Sequence, residues 1–374
     1  MKDVVRVLCL CLVMLISSRG AASADVVGAG YEHSVYLSST GHVWTWGRNW
    51  YGQLGIGPTG NHATPVQVSI SNVIAIAVGG YHTCVLKSDG TVWCWGENWG
   101  KLGDGTQTNR DQPVRAGTLT NIVAIAAGAT QSLAVDSSGT VWAWGENIYG
   151  DLGEGTGNEY DSPVALTTFS GPSVLAGGAY HTLAIQPTGG YVWSTGWNGF
   201  GQLGRSPGSA SFALMGVVSG VGAIAGGYDF SLMLLTDHTL YGVGNNTYGE
   251  LGNGQFASSS TPSSITMPDD VGMISAGYRH SLAVTTNGTL YAWGLNDWGQ
   301  LGVGNNTNQG SPTAVTGVGT YAVVSIAGGA AHSVALTSDG TVWAWGLNNY
   351  GQLGDGTNTA SNSPVTVSAP LGGW

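Results

Sequence analysis

The chain has 374 residues, 63 of them Gly, with 8% charged residues and a formal net charge of −11. Ten Lys plus Arg against 21 Asp plus Glu leave no basic stripe for a phosphate backbone, so nucleic acid is excluded as a partner on charge. Fifteen Trp and 15 Tyr exclude a disordered chain, and one Gly in six excludes long helices, leaving short strands joined by tight turns.

In chain order, residues 1–24 are expected to be a secretory leader. Lys2 and Arg6 precede an apolar run from Val7 to Ile16, and Ala22-Ser23-Ala24 supplies a small-residue exit. The run is ten residues, too short for a bilayer that needs about 20. The expected product, residues 25–374, is therefore secreted or periplasmic, with no membrane insertion after the leader is removed. It keeps seven basic and 20 acidic residues, which favours solubility.

From residue 25 onward one phrase recurs. It stands first as Trp46-Gly47-Arg48-Asn49-Trp50-Tyr51-Gly52-Gln53-Leu54-Gly55, and its second residue returns as Gly96, Gly145, Gly196, Gly244, Gly294 and Gly346. The unit is thus about fifty residues long and present in seven copies, a period that signals a propeller or solenoid. Leu-Gly closes every copy. An aromatic residue precedes the next-to-last Gly each time: Tyr51, Trp99, Tyr149, Phe200, Tyr248, Trp298 and Tyr350.

Within a unit, runs of four to seven β-branched, aromatic or alternating residues are separated by Gly or Asp-Gly, as in His332–Thr337, Ser338-Asp339-Gly340 and Thr341–Trp345. This spacing predicts hairpins of short strands. Pro-Val pairs at Pro65, Pro113, Pro163 and Pro364 predict a fourth strand at a sheet edge, because Pro has no N–H to donate. Four short antiparallel strands repeated seven times hide their edges by arranging radially as blades. The second unit carries Cys84 and Cys94 on either side of a turn at Lys87–Thr91. A three-residue loop with Gly90 left-handed sets the two Cys opposite each other as a non-hydrogen-bonded pair, in position for a disulfide in an oxidising compartment. The last unit ends on Ser363-Pro364-Val365, while the first inner strand has no such segment before it; ring closure by pairing the last strand into the first blade is the expectation.

The phrases Ala-Gly-Gly-x-x-His-Ser/Thr, Asp-Gly-Thr-Val-Trp-Ala-Trp-Gly and Asn-x-x-Gly-Gln-Leu-Gly resemble the repeats of the regulator of chromosome condensation family across essentially all of residues 25–374. The resemblance implies an all-β, seven-bladed β-propeller of four-stranded antiparallel blades. Copies four and five depart most: Thr195 and Val243 replace the second Trp of the pair, and Phe230 replaces the His.

One slot per unit holds His33, His82, Gln131, His181, Phe230, His280 and His332. Ring-related positions lie too far apart to share an ion at about 2.0–2.1 Å, so these side chains read as buried hydrogen-bonding ties between blades. No metal or cofactor is expected. The paired Trp at 44/46, 93/95, 142/144 and 343/345 share one strand face by period-two alternation and read as core.

The two residues before the His slot vary while their surroundings repeat. Tyr31, Glu32, Tyr81, Tyr180, Tyr228, Asp229, Tyr278 and Arg279 are thereby expected to gather at one mouth of the channel as the binding residues. Relatives use the corresponding loops for partner contacts; light-sensing relatives hold Trp there, and this chain holds Tyr. Tyr offers an apolar body and a hydroxyl at small entropic cost, suited to protein or sugar recognition. Gly204-Arg205-Ser206-Pro207-Gly208 matches a nucleophile-elbow pattern, but a chain this rich in Gly and Ser produces about one such match by accident.

The function expected is a non-catalytic binding module for a protein or glycan, acting as a monomer, with enzyme inhibition or adaptor work as concrete forms. The alternatives are a propeller-type lyase or hydrolase using Tyr278, Arg279, Tyr228, Asp229 and Glu32 at the mouth, and the activity best associated with the family, nucleotide exchange on a Ran-like GTPase.

Overall fold

A computed structural model describes residues 24–206, 209–216 and 218–368. The expected leader therefore lies, up to residue 23, outside the described residues. The described chain forms seven four-stranded antiparallel sheets whose innermost strands surround a central channel, a seven-bladed β-propeller. In blade 1 the strands run from the channel outward as Val26–Ala29, His33–Leu37, Val43–Gly47 and His62–Gln67. Every second strand begins at the His slot and every third strand ends at the Gly of the recurring phrase. Two middle strands buried on both faces and an outer strand with alternating exposure follow from the apolar runs and the Pro-bearing edge.

The phrase repeats because its residues solve the same packing problem at each blade junction. The register between third and outer strands shifts just before the terminal Gly in all seven blades, as between Thr45 and Gly47. Gly47 takes φ +105°, and a Cβ there would lie 2.5 Å from the Glu32 carbonyl oxygen, so no other residue fits. Gly55, the second Gly of the phrase's end, has φ +69° and gives up its side-chain volume to the Trp95 indole of the next blade. That indole is fully buried and donates Nε1–H to the Gln53 carbonyl at 2.9 Å. Trp46, Trp144, Trp293 and Trp345 make the same bond at 2.8–2.9 Å.

The His slot is the second tie. His33 Nε2 meets Thr83 Oγ1 at 3.0 Å, and His82, His181, His280 and His332 reach a Ser hydroxyl of the following blade at 2.9 Å. Each such hydroxyl also donates to a carbonyl of the preceding blade's phrase, and in the junctions that keep the Trp, as at Ser132, this is the carbonyl that accepts the indole. Gln131 does the same work through its amide, 3.3 Å from Thr182 Oγ1, whereas Phe230 fills the slot without a hydrogen bond. All five His are fully buried, and desolvation holds them neutral: His33 and His280 fall to about 3, His181 and His332 to about 4, and His82 well below its usual value.

The expectation about ring closure is corrected. The last strand, Ser361–Thr366, pairs within its own blade with Val342–Gly346, and every blade is built from one contiguous segment. Among the described residues the first strand is an inner one and the last an outer one, so their twenty-eight strands divide into seven complete sets. The ring is instead closed by the ordinary junction bonds: His332 to Ser34, Trp46 to the Gln352 carbonyl, and the Val27 amide to Ser325 Oγ at 3.2 Å.

Cys84 and Cys94 are directly opposed, with Cα atoms 4.1 Å apart, and form a disulfide. The Lys87 amide donates to the Thr91 carbonyl at 2.9 Å and Gly90 has φ +77°, as the hairpin spacing predicts. The bridge closes a loop of only ten residues, which limits its effect on chain entropy. The Cys84→Ala/Cys94→Ala protein should lose about 2–3 kcal/mol, read as a lower urea midpoint with an unchanged slope. Among the described residues no helix is long and apolar enough to cross a membrane.

A candidate binding face of tyrosines and caged arginines

Two sets of loops emerge at the same end of every blade: the short link between inner and second strands, and the longer link between third and outer strands. The first carries the varying pair before the His slot, and the second carries the aromatic of the recurring phrase. Strand ends thus fix both sets on a rigid ring.

The five Tyr of the inner set meet as a continuous arc. Tyr31 packs edge-on against Tyr81 at 5.2 Å and Tyr278 at 5.6 Å between ring centroids, Tyr278 stacks on Tyr228 at 3.9 Å, and Tyr228 meets Tyr180 at 5.6 Å. The arc sits over the mouth of an apolar channel of about 260 Å³, lined at that end by Tyr31, Tyr228 and Tyr278 and deeper by side chains such as Ile76, Ile125 and Ile274. Burial raises the Tyr31, Tyr228 and Tyr278 hydroxyls and pushes Tyr81 up to about 12, so they act as neutral donors and acceptors near pH 7.

The outer set extends the arc. Tyr51 touches Tyr81 at 5.4 Å and Tyr149 touches Tyr180 at 5.4 Å, with Trp197 and Phe200 continuing beyond. Of eleven exposed large hydrophobic residues among the described residues, seven belong to these outer loops: Trp50, Trp99, Ile148, Tyr149, Phe200, Phe256 and Trp298. Such a concentration on one end of the ring marks an interaction surface.

Charges are set among the rings. Arg48 lies 4.0 Å from the centre of the Trp50 ring, within 5.6 Å of Tyr51, Tyr81 and Tyr350, and is ion-paired to Glu32. Arg279 is similarly placed against Tyr228, Tyr248 and Tyr278, with Asp229 at 3.9 Å. Glu32 and Arg279, grouped by sequence position, thus serve two separate ion pairs. Burial lifts the Asp229 carboxyl to about 6 despite Arg279.

Sequence reasoning misses Arg48, whose position holds five different residue types in seven copies, and it misses the residue before Leu-Gly. That residue is Gln in four blades but Lys101, Asp151 and Glu250 in the others, all buried. Lys101 bridges Glu97 at 2.5 Å and Glu146 at 3.2 Å; burial pushes Asp151 up to about 7 and also raises Glu250. Variation at a position otherwise held by Gln is the signal that could have found them. The nucleophile-elbow match ends at Pro207 and Gly208, which lie outside the described residues.

Comparison with known proteins places this geometry. The Regulator of chromosome condensation (RCC1) repeat matches residues 40–86, 89–135, 138–185, 237–284, 287–336 and 339–373, well over half of the chain, and a second form of the repeat matches 25–53, 122–151, 222–250 and 323–352. A stretch of 53 residues, 14% of this chain, is 47% identical to the human E3 ubiquitin-protein ligase HERC2; one of 48 residues, 13% of this chain, is 48% identical to the Ultraviolet-B receptor UVR8 of Arabidopsis thaliana. These stretches cover 1% and 11% of those proteins. Prp20p of Saccharomyces cerevisiae, whose crystal structure was studied with its binding to Gsp1p and histones, superposes with a TM-score of 0.81 at 25% identity, covering 90% of this chain and 88% of that one. Human WBSCR16 shares the fold, with a TM-score of 0.79 at 23% identity over 88% of this chain and 94% of that one.

Proposed function

Because the chain belongs to the family of regulator of chromosome condensation repeat proteins, we propose that it is a non-catalytic binding module, secreted or periplasmic, that engages a protein partner through its aromatic face. The observation that carries the reading is the pair of Arg residues held among Tyr and Trp rings on the end of the ring that also exposes seven large apolar side chains. Trp, Tyr and Arg are the residues in which protein interfaces concentrate their binding energy, and here they are already ordered before a partner arrives. Binding of Gsp1p and histones by Prp20p supports a protein as the ligand.

Affinity capture from the producing cell's extracellular milieu, with residues 25–374 as bait, followed by titration of the captured protein, tests the reading. Saturable binding without turnover is expected. Arg48→Ala and Tyr278→Ala should each weaken it by about 30-fold or more, the mark of a hot spot at about 2 kcal/mol. Unchanged affinity in both variants would remove the face from consideration. The likeness to Prp20p favours one second reading, exchange on a Ran-like GTPase. Accelerated release of labelled GDP from such a GTPase is its test.

A further inference from the structure

The seam between blades 1 and 2 is open along its outer side, and we propose that it is an oligosaccharide-binding cleft that takes a neutral sugar chain, with Trp50 as the stacking platform and Asp111 and Gln112 as the hydroxyl-binding pair. This inference does not rest on the partner-binding reading.

Two cavities of about 710 and 510 Å³ follow the seam from the aromatic face toward the opposite end of the blades. Trp50 stands at the first and Trp93 at the second, and Gln112 lines both. Trp50 is 65% exposed yet held in place, with Arg48 at 4.0 Å from its ring centre and the Tyr350 ring edge-on at 5.8 Å. A large apolar ring fixed in that way, and left open, suits the C–H face of a pyranose.

The polar side of the cleft has unused capacity. Among the described residues the Asp111 carboxylate and the Gln112 carboxamide make no side-chain hydrogen bond or ion pair, although each can bond several partners. In two other seams the residue equivalent to Asp111 is bridged from the preceding blade: Gln107 Nε2 donates to Asp161 at 3.2 Å, and Asn362 Nδ2 donates to Asn306 at 3.3 Å. Gln107 and Asn306 stand two residues after Gly105 and Gly304. The equivalent position after Gly57 is Thr59, whose short side chain is already engaged by Asn49 and His62. The seam therefore stays unlatched where its carboxylate waits.

The ligand class follows from these groups. Beside Trp50 and Asp111 the one lining cation, Arg110, is committed to Asp104 at 2.7 Å, and Lys87 stands at the far cavity over the Trp93 ring at 5.6 Å, so no unpaired cation meets an anionic sugar or phosphate at the stacking platform. What remains is aromatic surface with a carboxylate and a carboxamide, the complement of a chain of rings with vicinal hydroxyls.

Calorimetric titration of the purified protein with cellohexaose, laminarihexaose, mannohexaose and chitohexaose, each to about 5 mM, tests the proposal. At least one should bind with a dissociation constant of about 10 μM to 1 mM, and Trp50→Ala and Asp111→Ala should each weaken it about tenfold or more. Thr59→Gln, which supplies the missing latch, should weaken it as well while leaving the thermal midpoint of unfolding unchanged or raised. Because Asp111 and Thr59 lie off the tyrosine arc, their variants should leave capture of the protein partner intact, so that the two readings fail separately. Absence of binding by all four sugars, or binding unaffected in the Trp50→Ala and Thr59→Gln proteins, would overturn the proposal.

Discussion

Acidification from pH 6 to 4 should destabilise the protein by about 3–4 kcal/mol per pH unit, enough to exhaust a stability of roughly 5–15 kcal/mol within a few pH units. The cause is the ring of buried His. A His that titrates near 6.5 when unfolded but at about 3–4 when folded stays neutral in the ring while the unfolded chain takes up its proton. Its contribution is complete above pH 6.5 and is lost as the pH falls, at about 1.4 kcal/mol per unit. Five His act in this direction. Asp151 and Asp229 act in the other, because their folded values of about 7 and 6 exceed the unfolded value near 3.9, and Glu250 joins them to a smaller extent. The net is that of two to three groups. Thermal unfolding followed by circular dichroism across this range measures it. A flat midpoint from pH 7 to 4 would mean that the His do not enter the ring neutral. His280→Gln is the sharper check: Gln131 ties two blades together without titrating, so this variant should remove about 1.4 kcal/mol per unit from the slope.

The largest loss from one substitution is expected at the indoles of the blade junctions. Trp345 is fully buried beside Leu301 and Val315, donates to the Gln300 carbonyl at 2.9 Å, and lies over Gly302, where even a Cβ would come within 2.7 Å of its Nε1. Trp345→Ala leaves a cavity with nothing nearby to fill it and should cost about 3–5 kcal/mol, seen as a lower denaturant midpoint. The blades that lack this Trp show why. Where Thr195 replaces it, Phe212 packs over Gly153 and stacks on Phe169 at 4.4 Å; where Val243 replaces it, Met215 packs over Gly204. The volume is conserved although its source moves. Thr195→Trp should accordingly destabilise by about 1–3 kcal/mol, since the space is already taken.

Much of this was legible in the chain because the informative contacts repeat or are local. The Cys84–Cys94 pairing follows from a hairpin of eleven residues whose turn dictates its register. The junction role of the His slot was visible in the tolerance for Gln131. The ring closure was misread because the terminal Pro-Val segment looked like a strand to be lent, when each blade already owned its four.

Seven repeats of a phrase rich in Gly, Trp and Asp-Gly determine the propeller by themselves, because each copy buries its apolar faces only against the next copy. They also determine that five Tyr share one end of the channel, since a variable pair before a slot that recurs at the start of every second strand must emerge at the same place in every blade. Only the tertiary structure decided how those side chains meet. Arg48 reaches Tyr350 across the closed ring, Tyr228 stacks on Tyr278 from the next blade, and Asp111 lacks the latch that Asp161 receives. Such contacts join residues some fifty to three hundred positions apart, and their geometry is set by the angle between neighbouring sheets, which no single repeat encodes.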